Sequence, residues 1–231
     1  MSHHVHPYAH RIGTLRSWKS RWFADSGKYQ EYLKGDVLLR EFLVKRLRGM
    51  HVADIEMERS DKSWKIVIKT ARPGLVIGRS GEGAVKLRAE VLSRLARWKI
   101  ATPKEFRIEI EEVRNPESNA SIVGQMVAEG LEKRLPFKRV LKQMLEKVMA
   151  NRDVKGARVE VAGRLGGADM SRREHVKAGN IPLQTIRADV DFAREKANLP
   201  YGVIGIQVWI YKGEVFAEKK AVHPEVVAPR A

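Results

Sequence analysis

The chain has 231 residues, enough for two domains of ordinary size that each bury a core. It carries 44 Lys and Arg against 28 Asp and Glu, a formal net charge of +16 with a pI near 10.2, which favours a polyanionic partner. The absence of Cys excludes disulfides, zinc knuckles and thiol nucleophiles. No apolar run approaches the roughly 18 residues of a spanning helix and no signal peptide is evident, so we expect a soluble, intracellular protein.

Residues 1–34 are predicted to form a basic and aromatic N-terminal arm that begins with four histidines, His3, His4, His6 and His10. A histidine tract can bind a metal ion, but no second set of ligands is positioned to complete a site, so we expect no metal. Cations then alternate with aromatic side chains, as in segments that stack on bases and neutralise phosphates. A solvated arm with a small aromatic cluster explains the composition equally well. The candidate RNA contacts are Arg11, Arg16, Trp18, Lys19, Arg21 and Trp22.

The next segment is predicted to be a helix followed by strands. Asp36 is suited to cap a helix that ends at Gly49. Two runs with an alternation of period two follow at residues 52–58 and 64–69, and a third lies at residues 106–111. The helix should pack across the resulting sheet through the apolar positions Val37, Leu38, Phe42, Leu43 and Leu47.

Between the second and third strands lies a GxxG sequence made of Gly78, Arg79, Ser80 and Gly81. The two glycines allow a tight turn between helical segments and a close approach of a ligand backbone. A loop of this form clamps about four nucleotides in KH domains. The order helix, strand, strand, helix, GxxG, helix, strand therefore predicts a type II KH domain at residues 35–114.

The sequence around the same glycines does not match two other phosphate-binding motifs. A Walker loop needs Lys and then Ser or Thr directly after its last glycine, whereas Glu82 follows Gly81. A dinucleotide-binding fingerprint needs the spacing GxGxxG, whereas Gly78, Gly81 and Gly83 have the reverse spacing. Neither a nucleoside triphosphate nor a dinucleotide is an expected ligand.

A second domain is predicted at residues 115–216, after the break at Asn115-Pro116. Two amphipathic helices, from residue 118 or 119 to about 134 and from Pro136 to about 151, have apolar faces typical of a core. An excess of cations around their turn is suited to bind along a phosphate backbone, although a solvated helix face is the alternative. These cations are Lys133, Arg134, Lys138, Arg139, Lys142 and Lys147.

The rest of the second domain is predicted to be a mostly antiparallel, four-stranded sheet on which the two helices pack, so that the fold class of the chain is α+β. Strands are expected at residues 157–163, 183–192 and 203–211, with a glycine-rich bend at 164–169. A basic segment that contains Arg172, Arg173 and Lys177 follows the bend. Residues 217–231 are expected to be a disordered tail.

Several blocks of sequence together resemble the bacterial form of the third small-subunit ribosomal protein, the universal S-three family. They occur in the family's order and span residues 6 to about 216. The blocks are HP at 6–7, RIG at 11–13, SRWFAD at 20–25, TARPGLVIG at 70–78, VRNPE at 113–117, GRLGGA at 163–168, IRADVD at 186–191 and YGVIGIQVWI at 201–210.

The resemblance implies a structural protein of the small-subunit head, in the cytoplasmic ribosome, without a catalytic site or a cofactor. Its expected partners are small-subunit (16S) rRNA, messenger RNA at the entry channel, and the tenth and fourteenth small-subunit proteins. Messenger contact would fall to Lys138, Arg139 and Lys142, by their match to the family's basic helix. The GxxG loop, the N-terminal candidates and four further arginines would bind rRNA: Arg72, Arg164, Arg172 and Arg173.

Two departures from the family pattern affect this expectation. Family members usually have two basic residues between the glycines, whereas this chain has Ser80 in one of those places, which should weaken phosphate attraction. Residues 100–105 and 151–155 also look irregular against the family. We further expect that Gly78→Asp would weaken RNA binding with little loss of stability.

Two other classes of protein are alternatives. A KH-domain transcription or ribosome-assembly factor would share the GxxG loop and the charge, but would not be expected to carry the blocks at 163–168 and 201–210. A nuclease would need clustered carboxylates for metal ions, and Asp189 with Asp191 is the one tempting pair. On a strand these two share a face, but beside Arg187 they more often form salt bridges.

Overall fold

The computed structural model describes residues 5–60, 62–103 and 105–216. It confirms the predicted α+β class, with two four-stranded sheets that are each packed against helices. His3, His4 and the tail predicted at 217–231 lie outside the described residues. No helix in the described ranges is long and apolar enough to cross a membrane.

The helices in the described ranges are α1 Pro7–His10, α2 Ser26–Arg46, α3 Pro73–Ile77, α4 Glu82–Arg97, α5 Ala120–Glu132 and α6 Phe137–Met149. The strands are β1 Ser20–Arg21, β2 Val52–Arg59, β3 Ser63–Thr70, β4 Glu105–Glu112, β5 Gly156–Gly163, β6 Arg172–Gly179, β7 Ala188–Leu199 and β8 Gly202–Glu214. Short 3-10 turns lie at Arg79–Gly81, Pro116–Ser118 and Leu165–Gly167.

The first sheet has the strand order β1-β2-β3-β4 and the element order expected for a type II KH domain. Strands β2 and β3 pair antiparallel, whereas β3 and β4 pair parallel, because the connection through α3 and α4 returns the chain to the same end of the sheet. The alternation of period two buries one face of β2 and β3 against α2 and α4. The fully buried residues of this core include Leu39, Leu43, Met57, Trp64, Ile66, Ile68, Val91 and Leu95.

Helix α2 corrects the prediction that Asp36 caps the first KH helix. The helix begins ten residues earlier, at Ser26, and Asp36 is buried inside it. The carboxylate of Asp36 accepts hydrogen bonds from Ser20 Oγ at 2.6 Å and Trp22 Nε1 at 3.1 Å. The buried face begins at Gly35 and Asp36 and continues through Leu39, Leu43 and Leu47 at the four-residue helical spacing. Val37, which was predicted to belong to it, is 48% exposed.

The second sheet has the order β6-β5-β8-β7, is antiparallel throughout, and is covered on one face by α5 and α6. Two strand predictions were wrong here. Arg172–Gly179 was expected to be only a basic segment but is the edge strand β6, whose exposed and half-buried positions alternate without an apolar run. Strand β7 spans Ala188–Leu199, so that residues 183–187 belong to the connection before it.

The N-terminal segment packs on both domains. Helix α1 packs on β7, and β1 pairs parallel with β2 through Ser20 and Met57. Arg11 is fully buried, and its guanidinium donates hydrogen bonds to five main-chain carbonyl oxygens, those of Pro7, Pro182, Leu183, Thr185 and Ala188. The segment is therefore more than a solvated arm, the second of the two interpretations above, because it packs on both domains. The small aromatic cluster of that interpretation is present, since Trp22 packs against Tyr29 and Tyr32.

The two domains also meet directly, at the end of α2 and the start of β2. The main-chain carbonyl of Val52 accepts hydrogen bonds from Gln125 Nε2 at 2.8 Å and Ser121 Oγ at 3.2 Å. His51 is buried beside this contact, with its Nε2 atom 3.2 Å from Glu129 Oε1. Burial lowers the pKa of His51, and the nearby Arg72 and Lys133 lower it further, against the opposite effect of Glu129.

Candidate nucleic-acid interface

The GxxG loop projects from the KH domain as a tight turn between α3 and α4. Gly78 has φ 73° and ψ −176°, Ser80 has φ 53° and ψ 21°, and Gly81 has φ 81° and ψ 0°. Gly78, Arg79 and Ser80 are exposed. The loop therefore presents a main chain and one cation that an extended phosphate backbone can approach closely.

The steric surroundings of Gly78 correct the expectation that Gly78→Asp would cost little stability. A Cβ atom on Gly78 would lie 3.0 Å from the main-chain nitrogen of Gly83, in a backbone conformation that is close to glycine-only. Gly78→Asp would therefore strain the turn as well as add a charge. Ser80 already adopts a left-handed conformation that Asp and Asn tolerate, so it is the better position for a charge test.

A groove of about 520 Å³ runs beside the loop, between α4 and the edge strand β4. Its apolar lining includes Val85, which is 69% exposed, and Ile108, and Arg88 lies on the helical side. An exposed apolar surface with a cation at its rim suits unpaired bases whose phosphates lie along the loop. Glu105 and Glu109 also line the groove but have cationic partners in Arg107 and Lys65.

Sequence reasoning missed the groove residues Val85 and Arg88. They lie four and seven residues after Gly81, which places them on one face of α4 that continues from the loop. An exposed Val on the polar side of an otherwise amphipathic helix is the signal that could have identified them.

The cations of α6 lie on an exposed surface. Lys138, Arg139 and Lys142 are all exposed at the start of the helix, while Val140, Leu141 and Leu145 on the opposite side enter the core. Lys138 and Lys142 share a face at the four-residue spacing, and Arg139 lies beside them. In the described part of the chain none of the three forms an ion pair, and the nearby Glu132 pairs with Arg48 instead.

The structure removes Arg11 and Arg16 from the predicted RNA contacts. Arg11 is enclosed by main-chain carbonyls, as described above, and its guanidinium has no exposed surface. Arg16 forms a salt bridge with Asp189 at 2.6 Å, and its half-buried guanidinium also lies 4.0 Å from Asp191. These carboxylates raise the pKa of Arg16 in spite of its partial burial. Arg16 therefore remains charged and is held against β7 by Asp189 and Asp191.

Three other arm residues are held by protein partners. Lys19 forms an ion pair with Asp54, and Arg21 lies 2.8 Å from both Glu56 and Glu58. The indole of Trp22 packs against Tyr29 and Tyr32 and donates its N–H to Asp36. Trp18, at 66% exposed, is the member of the predicted set that remains free to stack on a base.

The four remaining arginines differ in their surroundings. Arg72 is exposed at the start of α3, on the same segment as the GxxG loop. Arg164 donates to Ala168 and Tyr201 carbonyls and pairs with Asp169, so it holds the glycine-rich bend. Arg172 and Arg173 are exposed but have acidic partners, Glu174 at 3.1 Å and Glu160 at 3.0 Å respectively.

The carboxylates that a nuclease would need serve the fold instead. Asp191 Oδ2 accepts a hydrogen bond from the main-chain N–H of Ala120 at 2.9 Å, at the start of α5, and Asp189 pairs with Arg16. Within the described ranges no group of three or more His, Asp or Glu side chains could hold a metal ion.

Comparison with known proteins gives two family matches that follow one another along the chain. Residues 38–118 match the model of the KH domain, and residues 127–210 match that of the C-terminal domain of ribosomal protein S3. Small ribosomal subunit protein uS3 of Photobacterium profundum is 41% identical over 230 residues, which cover all of this chain and 97% of that protein. The uS3 protein of Clostridium novyi is 40% identical over 226 residues, 98% of this chain and 99% of its own length.

The chain belongs to the uS3 family of small ribosomal subunit proteins. As a member of the uS3 family it has a structural role in the ribosome and is not an enzyme. The first match is a KH domain, a module that binds RNA, and the second match covers α6 and most of the second sheet. The resemblance on which the sequence interpretation rested is confirmed.

Proposed function

We propose that this chain binds small-subunit (16S) rRNA in the head of the subunit and contacts messenger RNA at the entry channel. It would act in the cytoplasmic ribosome, beside the tenth and fourteenth small-subunit proteins. The observation that carries the proposal is the exposed cationic face of α6, on which Lys138, Arg139 and Lys142 have no protein partner in the described ranges.

The mechanism follows from the charge pattern of α6. Three long cations near one helix end can bind consecutive phosphates without reading bases, so any messenger sequence would be held. Val140, Leu141 and Leu145 anchor the same helix in the core, so the cations are held on a rigid element. No bond needs to be broken for this grip, and movement of the messenger would come from the ribosome.

The GxxG loop and its groove support a separate contact with rRNA. Arg79 is exposed in the loop before α4 and Arg72 is exposed at the start of α3, and the groove offers an apolar surface for unpaired bases. Trp18 supplies a further exposed aromatic surface. A free KH-domain transcription or assembly factor is the competing function, and the full-length likeness to uS3 proteins argues against it.

Site-specific crosslinking tests the messenger contact. Small subunits would be reconstituted with the full chain and given a messenger whose single photoreactive nucleotide lies downstream of the decoding site. We expect a crosslink to a peptide that contains Lys138, Arg139 and Lys142, and a loss of that crosslink when the three are replaced by Ala. The triple variant Lys28→Ala, Lys34→Ala, Lys45→Ala removes the same charge from exposed positions of α2 and should keep the crosslink. Crosslinks to other proteins alone would refute the proposal.

A further inference from the structure

The second sheet has an outer face, opposite α5 and α6, that the functions proposed above do not use. Register places Arg158 opposite Lys177 and Trp209, and Phe192 opposite Trp209, so these side chains share this face. Arg194 lies on the same face, with its guanidinium 5.4 Å from the centre of the Phe192 ring. Phe192 is buried against the ring of His6, so the accessible part of the face is formed by Arg158, Lys177 and the half-buried Trp209. It combines cations with an aromatic ring, as do other sheets that bind unpaired nucleotides.

A cavity of about 170 Å³ opens on this face where the connection between β6 and β7 folds over it. Arg158, Lys177, Asn180 and Trp209 line the cavity, together with the apolar side chains of Ile181 and Leu183. The guanidinium of Arg158 lies over the Trp209 ring, 5.0 Å from its centre, and the two side chains together form one wall of the cavity. Asn180 and Lys177 are exposed at the opening.

The charges on this face favour an anionic occupant. Glu160, the acid nearest to Arg158, is buried and already shared between Arg158 at 2.6 Å and Arg173 at 3.0 Å. The Nε atom of Arg158 is buried without a hydrogen-bond partner in the described structure. Lys177 has no acidic partner there either, so a phosphate at the opening would meet an unpaired cation.

We propose that this cavity binds one unpaired nucleotide of RNA. The base stacks against the wall formed by Arg158 and Trp209, Asn180 offers an amide that can hydrogen bond to the base edge, and Lys177 holds a phosphate at the opening. The site is separate from the GxxG loop and from the basic face of α6, and it would add a third RNA contact on the second domain.

The test is a binding titration of the full chain with a fluorescent single-stranded oligouridylate at several salt concentrations. Lys177→Ala should reduce the slope of log affinity against log salt by about 0.7, the value for one phosphate contact on a single strand. Lys45→Ala, which removes an exposed cation of α2, is the matched control and should leave the slope unchanged. The same comparison in the background of Lys138→Ala, Arg139→Ala, Lys142→Ala separates this site from the proposed messenger contact.

A second arm tests the base. Trp209→Leu should lower affinity for the oligouridylate about fivefold or more, with a much smaller effect on an abasic strand that keeps the same phosphates. Melting of each variant would be measured first, and Lys177→Ala, an exposed position, tests the proposal even if Trp209→Leu unfolds. An unchanged salt slope for Lys177→Ala would overturn the proposal. So would Lys177→Ala weakening the binding of a polyglutamate peptide but not of RNA, since the face would then dock an acidic protein.

Discussion

The Nε atom of Arg11 donates a hydrogen bond to the main-chain carbonyl of Ala188 at 2.5 Å, which links the start of the chain to the first residue of β7. This buried guanidinium satisfies carbonyls that have lost contact with water, and it keeps the N-terminal segment on the second domain. Its role is structural, although the sequence suggested an RNA contact.

The first prediction is that Arg11→Ala lowers the free energy of unfolding by about 2 to 4 kcal/mol, because several buried carbonyls lose a charged donor. Chemical denaturation of the full chain would measure the loss, with the exposed Arg97→Ala as a control that should leave stability unchanged. Reduced RNA affinity with unchanged stability would contradict the structural role of Arg11.

The second prediction concerns pH and His51. Its pKa is below the ordinary value of 6.5 because burial disfavours the charged ring, so the unfolded chain takes up a proton at a higher pH than the folded chain. The stability that His51 contributes is therefore present above pH 6.5 and is lost as the pH falls from there toward the folded pKa.

His51→Asn should remove this part of the pH dependence, since Asn tolerates the positive φ of 51° at that position. The measurement is the free energy of unfolding of both proteins between pH 7.5 and about 5. The difference in the free energy of unfolding between wild type and variant should decrease toward acidic pH, because the wild type loses the contribution of His51 and the variant has no such contribution to lose. If the free energies of unfolding of the two proteins change with pH in parallel, the pKa of His51 is the same in the folded and the unfolded chain, which contradicts the prediction.

The third prediction tests the electrostatics of the GxxG loop. Ser80→Asp should weaken RNA binding about fivefold and Ser80→Lys should strengthen it, because two unit charges about 4 Å apart in water interact by about 1 kcal/mol. Ser80→Asn has nearly the shape of the Asp variant without its charge and should bind RNA like the wild type. Equal affinities for the Asp and Asn variants, measured by fluorescence anisotropy, would remove this loop from the phosphate contact.

The fourth prediction concerns the close packing behind the same loop. A Cβ atom on Gly83 would lie 2.6 Å from the carbonyl oxygen of Val76 and 2.8 Å from that of Ile77. Gly83→Ala should therefore destabilise the KH domain by about 1 to 3 kcal/mol, as overpacking does. Gly74→Ala, which meets no atom within 4 Å, should be neutral or slightly stabilising in the same unfolding measurement. Equal stability of the two variants would show that α3 and α4 can move apart at no cost.

Local patterns predicted most of the KH domain. The alternating strands and the glycine loop could be found because Ile66, Ile68 and their neighbours fill one face at period two and because only a turn explains Gly78 and Gly81. The start of α2 could not be found in this way. Residues 26–34 are mostly polar, and Asp36 looks like a cap until Ser20 and Trp22 are seen to donate to it.

Tertiary structure decides which of the predicted RNA contacts are exposed and which are buried, and composition does not reveal it. Arg11 and Lys138 are both cations in basic stretches, yet one is enclosed by carbonyls from residues 182–188 and the other is exposed. Edge strand β6 was missed because a strand at the edge of a sheet needs no apolar run. The groove beside the GxxG loop was missed because α4 and β4, which form it, are separate elements whose packing the sequence does not show.

The central claim is that α6 holds RNA by its phosphates, and the salt dependence of single-stranded RNA binding tests it most directly. Replacing Lys138, Arg139 and Lys142 by Ala should reduce the slope of log affinity against log salt by about 0.7 for each contact, roughly 2 in all. The α2 variant Lys28→Ala, Lys34→Ala, Lys45→Ala loses the same net charge and should keep the wild-type slope. Equal slopes for the α6 variant and the wild type would contradict the claim.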